Sequence, residues 1–231
     1  MIEGLDISHW NTVSWPDWQN KRFVYIKASE GTDWTDDKMA SHRAAAEAAG
    51  KFTGPYHYFR AAFNGAIQAQ HFFDTAGLGW DMPPAIDVEV INNTGFSKEV
   101  FAARLRNCLQ ETERLFGRRP VIYTSKSKWD LLVGFTGWES AYDLWVAHYT
   151  SAPVPLIPTG WSGKGWTLWQ YTSTPLDQDR FWGSEEEFLE FVGSAPPPPP
   201  SGDLEKRVTK LEEDVAALLA LAGRLHNAHH A

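Results

Sequence analysis

The sequence predicts an α/β fold: a closed eight-stranded barrel followed by a helical tail behind a proline-rich spacer. Three observations predict it. Strand-like apolar runs alternate with helix-length stretches across the first five units, as they do where parallel strands are joined by crossover helices. Polar side chains gather at the carboxyl ends of those strands, the end at which α/β barrels open. Ala195 through Gly202 contains five consecutive prolines, which form a stiff spacer and cannot join a sheet.

The elements follow in order. Residues 2–7 read as a buried strand ending near Asp6, with the turn-rich Ser8-His9-Trp10-Asn11 behind it. Residues 23–28 are a second strand with Ser29-Glu30-Gly31 as its exit loop, and 36–49 are a helix stopped by Gly50. Residues 54–59 are a third strand, followed by a helix over about 64–76. The fourth strand is 84–90, and its helix runs from about 97 to 116, capped by Ser97 and stopped by Gly117. Residues 120–124 form the fifth strand, with a short helix near 126–133. Strands at 143–148, 166–171 and 176–181 complete the set, joined by loops too short for full crossover helices, and helical pattern returns over 184–193.

Composition limits the partners. The chain has 231 residues, with 29 Asp plus Glu against 21 Lys plus Arg, and its net charge of −8 argues against nucleic acid or an anionic membrane as the main partner. No 18-residue apolar run is present, so no membrane-spanning helix is expected. Residues 1–15 show neither a basic n-region nor an apolar h-region, so the chain is expected to be made in the host cytoplasm without a signal peptide. The single cysteine, Cys108, excludes an intrachain disulfide and reads as a small buried hydrophobe. The 12 tryptophans tilt the reading slightly toward a sugar ligand, since aromatic rings in a cleft stack on sugar faces.

The stretch Pro84-Ala85-Ile86-Asp87-Val88-Glu89-Val90 carries the chemistry. Period-two alternation puts Asp87 and Glu89 on one strand face, with Cα atoms roughly 6.6 Å apart. Two acids at that range push one pKa upward, which is what a general acid needs near neutral pH. Taken alone, an Asp-x-Glu is more often part of a solvated edge strand. Here it is joined at the strand ends by Asp6, Lys27, Glu30, Tyr56, Tyr58, Tyr123, Trp145, Gln170 and Asp177. Several acids among aromatics suit glycoside hydrolysis, where one acid protonates the leaving oxygen and another group stabilises the cation. A divalent metal is the competing reading of clustered acids, but no His-x-x-x-His spacing appears among His9, His42, His57, His71 and His148. No metal and no cofactor are therefore expected. Ser8 and Ser29 have no evident His partner and read as turn residues, and no phosphate loop or Gly-x-Ser-x-Gly elbow is present.

Six motifs in order, Gly4-Leu5-Asp6-Ile7-Ser8-His9, Tyr25 through Gly31, Tyr56-His57-Tyr58-Phe59, Ala85 through Glu89, Val121-Ile122-Tyr123-Thr124 and Trp169-Gln170-Tyr171 with Leu176-Asp177, resemble glycoside hydrolase family 25. These are lysozymes (N-acetylmuramidases) of the phage endolysin type. The resemblance covers residues 2 to about 192. It implies an irregular TIM-like (β/α)5(β)3 barrel and cleavage of the β-1,4 bond between N-acetylmuramic acid and N-acetylglucosamine in peptidoglycan. Matched onto this chain, Glu89 would be the general acid/base and Asp87, Asp6 and Asp177 the other family acids. The chain departs from the pattern at Trp10-Asn11, where the family often has Gln-Gly, and at Asp177-Gln178-Asp179, where it often has Asp-x-Asn. The other readings are a chitinase-like glycosidase, since chitinases also end a strand with Asp-x-Glu, and a non-catalytic wall-binding virion subunit.

The expected organisation is a catalytic barrel over 1–194, the linker 195–202 and a heptad segment over 203–231. Leu204, Val208, Leu211, Val215, Leu218, Ala222 and Leu225 recur at alternating spacings of four and three. That stripe predicts a homo-oligomer, dimer or trimer, through a parallel coiled coil over 203–225. The expected partner is the peptidoglycan glycan strand, met at the cell wall after release through a membrane pore or on a virion.

Overall fold

A computed structural model describes residues 1–193. In chain order the elements are β1 (Ile2–Ile7), α1 (Trp15–Trp18), β2 (Phe23–Glu30), β3 (Trp34–Thr35), α2 (Met39–Ala48), β4 (Phe52–Tyr58), α3 (Gly65–Ala76), β5 (Ala85–Asp87), α4 (Lys98–Phe116), β6 (Val121–Thr124), α5 (Lys126–Leu132), β7 (Asp143–Ala147), β8 (Leu168–Thr172), β9 (Asp177–Phe181) and α6 (Glu185–Phe191). Eight strands close a ring in the order β1-β2-β4-β5-β6-β7-β8-β9, and β9 pairs back on β1. All pairs are parallel except the two that β9 makes, which are antiparallel. The two-residue β3 is an appendage on the end of β2.

The helices end where local chemistry stops them. Ser97 accepts a hydrogen bond from the Val100 N–H at the start of α4, and Gly117 closes that helix in the left-handed region at φ 67°. Asn64 and Ser125 cap α3 and α5 in the same way, and Ser184 with Glu187 forms a capping box on α6.

Strand periodicity divides the core. Ile86, Val88, Ile122, Leu144 and Val146 face outward onto α3, α4 and α5 and pack with Phe72, Phe101 and Leu105. Their neighbours Ala85, Val121, Tyr123 and Trp145 point into the barrel, where the Trp145 ring stacks on Tyr25 with centroids 4.7 Å apart. Leu5, Ile7, Val24 and Ile26 form a third cluster under α1 and α2. At the amino ends of the parallel strands Phe188 of α6 meets Phe23, Phe52 and Phe181 at 5.3–5.7 Å and seals the barrel floor. The opposite mouth stays open.

Two local features depart from the sequence reading. The fourth strand is shorter than 84–90: beyond Asp87 the chain makes one more ladder bond, from the Val88 N–H to the Tyr123 carbonyl, and then turns. Asn93 holds that turn by donating to the carbonyls of Phe59 and Glu89 and accepting from the Ala61 N–H. In addition, β2 carries a bulge between Lys27 and Ser29, which reverses the face on which later residues point. The linker 195–202 and the heptad segment 203–231 lie outside the described residues.

Candidate active site

The topology assembles the site. Carboxyl ends of seven parallel strands share one rim, and because β9 runs the other way its first residue, Asp177, reaches that rim too, directly opposite Asp6. The result is one pocket of about 260 Å³ at the open mouth. Asp6, Lys27, Tyr56, Tyr58, Asp87, Glu89, Tyr123, Trp145, Gln170 and Asp177 all line it. Of the residues expected there, only Glu30 does not line it. Glu30 sits in an adjoining groove, its two oxygens taken by Lys27 Nζ at 3.0 Å and Arg60 Nη1 at 2.6 Å.

Gln170 is the hub of the pocket floor. Its Nε2 donates to Asp6 Oδ2 at 2.6 Å, and its Oε1 accepts from the hydroxyls of Tyr123 at 2.9 Å and Tyr149 at 2.6 Å. Below it Trp145 donates its indole N–H to Asp179 Oδ1 at 2.7 Å. Asp179 is wholly buried, and its Oδ2 has no hydrogen-bond partner. On the other wall Lys128 Nζ lies 2.6 Å from Glu89 Oε1.

Electrostatics in this pocket disfavour several charges at once. Burial, then the charge of Glu89, drives the Asp87 carboxyl well above the usual carboxylate range. Burial together with Asp179 and Asp177 does the same to Asp6. Asp177 is raised by burial and by Glu89, and Asp179 reaches about 8, mainly through burial. Asp87 lines the pocket, and its Oδ1 is buried without a hydrogen-bond partner.

Some participants escaped the sequence reading. Ser8, Trp10 and Tyr149 also line the pocket. Asp179 carried a signal, since period two puts it on the strand face of Asp177. Lys128, on the helix after β6, carried none. Ser29 is corrected outright: it belongs to β2, not to a turn, and its Oγ lies 2.9 Å from His57 Nδ1. The bulge turns Ser29 away from the mouth, where His57 packs on Phe72 with no exposure to solvent. Burial pushes the His57 imidazole down to about 3, so it stays neutral, and the pair is structural. Among the described residues no three His, Cys, Asp or Glu side chains are grouped to hold a metal ion.

An α/β barrel whose open rim draws four carboxyl groups and a ring of aromatics into one pocket belongs to the glycoside hydrolases as a class. Within that class the chain belongs to Glycosyl hydrolases family 25, whose sequence profile matches residues 5–179. Lysozyme M1 of Streptomyces globisporus is 30% identical over 210 residues, spanning 81% of this chain and 70% of its own length. The N,O-diacetylmuramidase of a Chalaropsis species is 30% identical over 187 residues, 73% of this chain and 87% of that protein. The solved structure of a family GH25 lysozyme from Aspergillus fumigatus superposes with a TM-score of 0.76 at 30% identity, covering 83% of this chain and 98% of that one.

Proposed function

We propose that the protein is a peptidoglycan muramidase that cuts the β-1,4 bond between N-acetylmuramic acid and N-acetylglucosamine, with Glu89 as proton donor. The observation that carries this reading is the pairing, in one pocket, of Glu89 with Asp87, whose Oδ1 is buried and unpartnered. The names of the similar proteins, lysozyme and N,O-diacetylmuramidase, support the same substrate.

In the mechanism, the substrate's own N-acetyl oxygen attacks the anomeric carbon while the Asp87 carboxyl accepts the amide N–H. The glycosidic bond breaks, its electron pair leaves with the oxygen of the departing sugar, and that oxygen takes the Glu89 proton. Lys128 lies within an ion-pair distance of the carboxylate left behind. Water then adds to the anomeric carbon, gives its proton to Glu89 and opens the cyclic intermediate, so configuration is retained. Direct attack by Asp6 or Asp177 is the runner-up, and a trapped covalent glycosyl-enzyme adduct would favour it.

Mass spectrometry of digested peptidoglycan tests the proposal. New reducing ends on muramic acid support it. Cleavage of chitin oligomers instead would give the chitinase-like reading, and no product from either would leave wall binding alone. The reading extends to a phage-encoded lysin that reaches the wall through a membrane pore or on a virion. It also takes residues 203–225 as a segment that gathers several catalytic domains, for which the heptad spacing is the support.

A further inference from the structure

Glu89 stands outside the barrel ladder, past the end of β5, so its place depends on what its loop and side chain are tied to. Its backbone is tied by Asn93, which is buried, donates to the Glu89 carbonyl at 2.9 Å and also holds Phe59 and Ala61. Its side chain is tied by Lys128, whose Nζ lies 2.6 Å from Oε1. Among the described residues no other cation comes within ion-pair distance of that carboxyl.

Lys128 is presented from a fixed position. Thr124, the last residue of β6, donates its hydroxyl to the Val88 carbonyl at 3.0 Å, which ties the start of α5 to the residue before Glu89. Ser125 then caps α5 by accepting the Lys128 backbone N–H at 3.3 Å. Next in the chain, Trp129 is buried, donates its indole N–H to the Gly134 carbonyl at 2.8 Å and meets Trp161 edge-on. The nearby lysines are already engaged, Lys126 by Asp130 at 2.6 Å and Lys27 by Glu30 at 3.0 Å. Lys128 is not among the residues that line the acid pocket, so it reaches the reaction through Glu89 and not through the sugar.

We propose that Lys128 is a positioning residue for the proton donor: its ammonium holds the Glu89 carboxyl in one orientation and stabilises the carboxylate that forms as the proton departs. This rests on the muramidase reading in which Glu89 protonates the leaving oxygen. In that step the proton passes to the departing oxygen, the electron pair of the glycosidic bond goes with the same oxygen, and the negative charge left on Glu89 faces the ammonium. When water later gives its proton to Glu89, that charge is gone. The interaction is therefore stronger in the transition state than with the acid protonated, so it raises kcat and not affinity.

The test measures kcat and KM separately on a peptide-free peptidoglycan hexasaccharide for the wild type, Lys128→Met, Lys128→Arg, Glu89→Gln and the double variant carrying Glu89→Gln and Lys128→Met. Lys128→Met should lower kcat roughly five- to thirtyfold, the loss of one partly exposed contact to a charge, with KM within about twofold of the wild type. Lys128→Arg keeps the charge and should recover most of the rate. With Glu89→Gln already in place, losing Lys128 should cost nothing further, because no charge forms at position 89. The Lys128 side chain is 30% exposed, so neither substitution should disturb folding. An unchanged kcat in Lys128→Met, a loss carried by KM, an arginine variant no better than the methionine one, or a full further loss in the double variant would each overturn the proposal. A wild type that cuts no strand, or a Glu89→Gln variant with near wild-type kcat, would instead remove the reading on which the proposal rests, and the proposal with it.

Discussion

Replacing Glu89 with glutamine separates chemistry from folding, and the structure sets both magnitudes. The variant removes the proton donor and leaves the side chain's shape. General acid catalysis is worth about 10²–10⁴-fold, or roughly 2.7–5.4 kcal/mol of barrier, and that loss is expected in the rate of clearing a wall suspension. The fold should hardly respond. Glu89 is 19% and Lys128 30% exposed, so their ion pair stabilises by at most about 1 kcal/mol. For a domain of this size the melting temperature should move by less than about 4 °C. Turbidity loss and thermal melts on the same preparations make the measurement. Activity within about tenfold of the wild type would refute the assignment of Glu89, and a large fall in melting temperature would refute the view that its pair with Lys128 is a minor contributor to stability.

Three further outcomes are expected. Asp179 holds its proton up to about pH 8 in the folded protein but releases it above its ordinary 3.8 when unfolded, so its contribution to stability is full at low pH and is lost as pH rises through that window. Asp6 and Asp177 are also raised and add with the same sign, while Lys21 opposes. The wild type should therefore melt lower at about pH 8 than at about pH 5, and Asp179→Asn should lose less over that interval; equal losses in both proteins would defeat the view that Asp179 keeps its proton in the fold. Gly4→Ala would drive a Cβ into the buried Phe23 ring, and overpacking of this kind costs ~1–3 kcal/mol, read as a melting temperature several degrees lower. Light scattering of the full chain against a chain ending at Ser194 should give a dimer or trimer mass for the first and a monomer for the second, and equal monomer masses would dismiss the heptads as an association segment.

The sequence by itself determined the order of the barrel. Apolar runs of strand length, helix stops at Gly50 and Gly117, and the Ser97 cap are local signals, set by neighbouring residues and legible without a fold. Because strand ends in an α/β barrel share one rim, the same pattern also places Asp6, Asp87, Glu89 and Gln170 together. What the tertiary structure alone decided are contacts between residues far apart in the chain. The reversal of β9 brings Asp177 opposite Asp6 and sets Asp179 beneath it, and strand direction is not written in a five-residue run. The bulge in β2 turns Ser29 toward His57, because one extra residue reverses every face that follows it. Glu30 leaves the pocket for the same kind of reason: Arg60, from the loop after β4, is there to claim it, and the pairing of β2 with β4 puts that guanidinium within reach.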